Sequence, residues 1–264
     1  MRLAKIFVVL VFLFGFRPAL AHPLYLTGEI GGSPVLLMLE KDNEKLSGWY
    51  LYFRQARDIE LDGHIGANGV FELQEYASPG HRKMAVFSGN AADGKWTGNW
   101  KSAAGRTLNF RVQENRDVLQ NLNGSFRCST KNLEPKFGYT FERSLNLTVA
   151  KGVVKSIVVN NGSKSRHGDG DQQCSIGSED LKQIASDAGI VLQAHGDEPS
   201  GGEDAGNCTV RVVGTADYLY VQVGDFTEPK NDCRDVGTTM FCSPRGGWGD
   251  LVVDRKTQSC RAVQ

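Results

Sequence analysis

Between Leu46 and Tyr76 the chain reads LSGWYLYFRQARDIELDGHIGANGVFELQEY, and its side chains change character at every second position. Trp49, Leu51 and Phe53 fall on one side of an extended backbone, with Tyr50, Tyr52 and Arg54 on the other. Further on, Phe71, Leu73 and Glu75 oppose Val70, Glu72 and Gln74. A period of two builds a strand and gives a helix no coherent face. Asp62-Gly63, Asn68-Gly69, Asp93-Gly94 and Ala104-Gly105 break the runs, and we read each as a tight turn in which glycine supplies a positive φ.

The same grammar starts at Tyr25 to Gly32, passes through the more continuously apolar Val35 to Leu39, and continues in Met84 to Gly89, Lys95 to Trp100 and Thr107 to Val112. About eight short strands without a helix predict a curved antiparallel meander or a small barrel, because closure removes exposed edges. The succession of strands, glycines and aromatics from Tyr25 to about Glu114 resembles a module of uncharacterised exported bacterial proteins and lipoproteins. That resemblance implies a β-rich fold and brings no catalytic residues. Tyr50, Tyr52, Tyr76, Trp96 and Trp100 are either an open binding face or barrel filling and cross-strand pairs. We favour the second, since sheets select aromatics in any case.

The first residues speak to compartment. Arg2 and Lys5 precede the apolar run Ile6 to Phe16, and Ala19 and Ala21 form the small-residue pattern of a signal-peptidase site. The run is shorter than the roughly 20 residues of a membrane-spanning helix. We expect residues 1–21 to be a signal peptide and the mature protein to be periplasmic or secreted, with no stable membrane insertion after cleavage. The whole chain has 30 basic and 30 acidic residues, so losing Arg2, Lys5 and Arg17 leaves a net charge of −3. Such a surface is unsuited to nucleic acid, whose phosphates require clustered cations.

Six cysteines, Cys128, Cys174, Cys208, Cys233, Cys242 and Cys260, all lie in the second half, and none has zinc-ligand spacing. An even number in an exported chain predicts disulfides. Among the open pairings we single out Cys128 with Cys260, tying the ends of a domain, Cys174 with Cys208, and Cys233 with Cys242. Residues 22–117 are assigned to the barrel or meander and 118–264 to a small disulfide-stapled α+β domain, for a fold that is mainly β. Its strands are expected at Thr140 to Val149, Val153 to Val159, Cys208 to Val213, Tyr218 to Val223 and Leu251 to Asp254. Its helix is predicted after Ser178, with Leu181, Ile184, Ala185 and Ala188 as the apolar face and Gly189 as the stop.

No catalytic motif stands out. There is no G-x-S-x-G, no H-E-x-x-H, and the five histidines are dispersed in glycine-rich loops. Arg166-His167-Gly168-Asp169-Gly170-Asp171 fails as an EF-hand, because Gln173 and Cys174 stand where a third oxygen ligand and a glycine belong. No metal and no cofactor are expected. The sequence therefore favours a non-catalytic binding protein with a protein partner in the cell envelope, of the inhibitor or immunity type. Arg166, His167, Asp169, Asp171, Arg245 and Trp248 are its candidate contacts. A glycan-active hydrolase with two carboxylates from distant strands and a structural envelope protein are the alternatives.

Overall fold

The structure, a computed structural model, describes residues 23–77, 80–114, 119–134, 139–165, 172–179, 181–184, 186, 189–195, 207–223 and 250–263. Eight strands form the first unit: β1 (Leu24–Ile30), β2 (Ser33–Asp42), β3 (Lys45–Tyr52), β4 (Asp58–Ile65), β5 (Val70–Ala77), β6 (Arg82–Ala92), β7 (Lys95–Ser102) and β8 (Thr107–Glu114). Each pairs antiparallel with the next, and β1 pairs with β8, so the meander closes into a barrel. Leu26, Leu37, Leu61, Leu73, Phe87 and Phe110 fill it.

Turn glycines fall as the sequence implies at Gly69, Gly94 and Gly105, all with positive φ. Gly63 differs. It lies inside β4, opposite Leu73, where a Cβ would collide with the Glu72 carbonyl. Gly89 and Gly98 face each other across β6 and β7 under the same restriction. These glycines permit close approach of neighbouring backbones in a tightly curved wall.

The remaining strands make two sheets. Strands β9 (Gly124–Glu134), β10 (Tyr139–Ala150), β11 (Val153–Ser165) and β12 (Gln172–Gly177) stand in the order β12-β11-β10-β9. Strands β13 (Lys182–Ile184), β14 (Ile190–His195), β15 (Asn207–Gly214), β16 (Tyr218–Val223), β17 (Leu251–Asp254) and β18 (Ser259–Ala262) follow one another in chain order. Phe126, Leu145 and Ile157 from the first sheet pack against Leu192, Val212 and Leu219 from the second. The other face of the six-stranded sheet meets the barrel wall: Val213, Tyr218, Tyr220 and Val252 pack with Tyr25, Leu36, Met38, Leu51 and Phe53. The molecule is thus layered as sheet, sheet and barrel. Strand β16 is buried along its whole length because both of its faces are covered.

The α+β expectation for the second half is corrected: among the described residues there is no helix. The Ser178 hydroxyl, read as a helix cap, accepts from the Ile157 amide at 2.7 Å and donates to the Ile157 carbonyl at 3.2 Å. Lys182 to Ile184 then pair with β14. Leu181 is in the core while Ile184 is 43% exposed, so these two do not share a buried face; Ala185 and Ala188 lie outside the described residues. The Gln183 amide accepts from Val154 N and donates to Gly152 O, fastening this edge to the neighbouring sheet. Pairing and tertiary bonds outweigh a weak intrinsic propensity here.

Cys128 and Cys260 form a disulfide between β9 and β18, joining the edges of the two sheets. Cys174 lies on β12 and Cys208 on β15, whereas Cys233 and Cys242 lie outside the described residues. Among the described residues no helix is long and apolar enough to cross a membrane.

Candidate functional site

Arg166, His167, Asp169, Asp171, Arg245 and Trp248 all lie outside the described residues. A site the sequence reading passed over stands at one end of the barrel. Alternation along β5 sends Phe71, Leu73 and Glu75 inward, so a carboxylate follows two core residues into the interior. Glu75 is only 8% exposed. Its Oε2 accepts from the Tyr50 hydroxyl at 2.7 Å and from Trp100 Nε1 at 2.8 Å. Both donors thus fall on the same oxygen. A buried carboxyl group is costly without such partners.

The surroundings are aromatic. Tyr50 meets Phe87 edge-on at 5.3 Å and Tyr52 at 5.6 Å, and Phe87 meets Phe110 at 5.1 Å, which closes the floor. Tyr52, Ile59, Trp100 and Leu108 are half-buried and form the rim. Burial first, and then the Glu75 charge, push the Tyr50 hydroxyl far above its ordinary pKa, which keeps it a donor. Burial also raises Tyr52, against a hydrogen bond with Tyr50 that lowers it. The five aromatics of the sequence reading therefore divide. Tyr50 and Trp96 are core, Tyr52 and Trp100 edge the mouth, and Tyr76 lies half-buried beside His81.

A second polar cluster occupies the seam between barrel and sheet. Tyr25 donates to Gln222 Oε1 at 2.7 Å and accepts from Arg211 Nη1 at 2.6 Å, and the same guanidinium lies 4.7 Å from the Tyr25 ring centre. Phe53 stacks on Tyr218 at 5.1 Å, and Trp49 packs on Tyr220 at 5.4 Å. Tyr220 donates to Asp250 Oδ2 at 2.6 Å, and Val223 N donates to Oδ1 at 3.1 Å. Burial, then the Asp250 charge, hold the Tyr220 hydroxyl well above its usual pKa. Asp58, at the start of β4, has an exposed outer side, yet the protein packed about its carboxyl and the charge of Asp250 push it up to about 6.

An open groove of about 570 Å³ runs between the outer wall of β1, β7 and β8 and the turn after β15. Of the charged residues that line it, Arg111 pairs with Glu29 at 2.7 Å and Asp217 with Lys256 at 3.2 Å, and Lys95 lines it as well. The barrel mouth, with a buried carboxyl group below an aromatic rim, offers more to a partner.

No family model, curated protein or solved structure matches this chain.

Proposed function

We propose that the chain is an exported, non-catalytic binding protein of the cell envelope, of the inhibitor or immunity type, and that its barrel mouth is a binding face. The observation that carries this reading is Glu75: a buried carboxyl group whose two protein donors share Oε2, at the foot of a rim formed by Tyr52, Ile59, Trp100 and Leu108. The matching chemistry is a partner side chain with N–H donors, such as arginine or lysine. Its head would reach Glu75 while its stem lies against aromatic faces. The mildly acidic charge of the mature chain favours the same kind of partner.

The disulfide between Cys128 and Cys260 is compatible with export. Apolar residues face into the barrel, while Glu72, Lys101 and Arg111 face out, the reverse of the alternation in a membrane barrel. This supports a mature protein without stable membrane insertion.

Capture from an envelope extract tests the reading, using wild type beside Tyr52→Ala and Trp100→Ala variants that retain the wild-type unfolding temperature. Each truncation of a central aromatic is expected to weaken a captured partner by about 10-fold or more. Equal capture by all three proteins would remove the mouth as the binding face.

A glycan-active hydrolase is the second reading, and Asp58 with Asp250 is the observation that favours it. These carboxylates are distant in sequence and electrostatically coupled, and one is raised toward the range useful to a general acid. Both Asp250 oxygens are engaged by Tyr220 and Val223, which suits an anchoring role better. Turnover of peptidoglycan fragments that disappears in Asp58→Asn would reverse the preference.

A further inference from the structure

We propose that Glu60, Asp62 and His81 form a divalent-cation site on the outer wall of the barrel. Glu60 and Asp62 stand two residues apart on β4, between the inward-facing Ile59, Leu61 and Gly63, so both project outward. The third donor comes from the connection between β5 and β6. His81 has a φ of 49°, unusual for a residue with a Cβ, and its ring lies flat on Tyr76 with centres 4.0 Å apart and planes within 3°. Tyr76 is directly across the ladder from Glu60 and donates to Gln74 Oε1 at 2.9 Å. The stacked ring therefore sits over the two carboxylates.

One donor atom from each of the three side chains lies within 4.8 Å of the other two. An ion held at roughly 2.0–2.2 Å from nitrogen and oxygen ligands needs donors about 3–3.5 Å apart. His81 Nδ1 and Glu60 Oε2 already meet that spacing at 3.4 Å. Asp62, with a carboxylate oxygen within 4.8 Å of the other two donors, would close on the ion by side-chain rotation. The half-exposed His81 and Glu60 leave room for water in the remaining positions.

The donor set also selects the ion. Imidazole with two carboxylates suits Zn²⁺, Co²⁺ or Mn²⁺, whereas Ca²⁺ and Mg²⁺ prefer oxygen alone. A dication also offsets two adjacent carboxylate charges at once, which a single imidazolium does not. The aromatic platform plays the part of an orienting outer shell for the imidazole. This inference is separate from the binding role of the barrel mouth, and either can fail without the other.

The test is calorimetric titration of the tag-free, disulfide-intact protein with Zn²⁺, repeated with Co²⁺ and its visible absorption. Wild type is expected to bind one ion, and His81→Ala and Asp62→Asn are each expected to weaken that affinity by about 10–100-fold. His64→Ala serves as the control, because His64 shares the outer face of β4 but lies outside the cluster. It should bind like wild type. A wild-type protein that takes up no Zn²⁺, or uptake unchanged by the His81 and Asp62 substitutions, overturns the proposal. So does a loss that follows His64 instead.

Discussion

Two carboxylates show how far single residues could be read in advance. Glu75 was visible in principle, because an acid continues the apolar side of Phe71 and Leu73 in the sequence itself. What the sequence lacks is the pair of donors, which come from β3 and β7, each 25 residues away along the chain. Asp58 carried no such signal, since its coupling to Asp250 depends on a seam between two units. Its pKa is raised from 3.8 to about 6, so the folded state holds this proton more tightly than the unfolded chain does. That contribution is fully present below the unfolded value and is lost as pH rises through about 6. Asp58→Asn should therefore unfold at a higher temperature than wild type at pH 7, with no difference at about pH 3. The gain should be no more than about 1 kcal/mol, because the outer side of Asp58 is exposed to screening solvent. Thermal unfolding followed across that pH range decides it, and a gain equal at both pH values would show that the carboxyl does not titrate as described.

At the level of elements, period-two alternation located the strands well and said little about what covers them. Tyr218 to Val223 reads as a plain apolar strand, and its meaning emerges only when Leu219 and Val221 face one sheet and Tyr218 and Tyr220 face the barrel. Strand β3 behaves the same way, with Tyr50 inside the barrel and Leu51 outside, both buried. The helix expected after Ser178 failed because a short apolar repeat does not reveal that Leu181 enters the core while Ile184, on a strand, stays exposed. Glycine was ambiguous for a related reason. A turn and a close approach of backbones both select it, and Asp62-Gly63 belongs to the second kind. Gly98→Ala tests that distinction, since Gly98 is not at positive φ and the new methyl group would press on the Ser88 carbonyl. We expect a loss of about 1–3 kcal/mol in denaturant unfolding, the scale of an overpacked core, while an alanine tolerated without loss would mean the wall can relax.

On the scale of the molecule, both the disulfide and the seam argue that the units stabilise one another. Cys128 and Cys260 are 132 residues apart, so their bond restricts a large part of the unfolded second unit. Replacing both with alanine should lower stability by about 2–5 kcal/mol, read from the urea midpoint of oxidised wild type against the variant. The seam leads to a sharper expectation. Leu36, Met38, Leu51 and Phe53 on the barrel wall are each at most 5% exposed because the six-stranded sheet covers them. A barrel made alone as residues 23–114 would keep its internal core and its closed ladder, yet present these four side chains with Tyr25 as one continuous apolar patch. Patches of that kind drive association in water. The fragment should therefore sediment as a self-associated species or bind a hydrophobic dye strongly, while the whole chain does neither. Substituting Leu36 and Met38 with serine should restore a monomeric fragment, because both side chains point away from the barrel interior. A fragment that is monomeric and dye-silent without those changes would mean that the wall closes over its own apolar face, and that the barrel owes nothing to the sheet beside it.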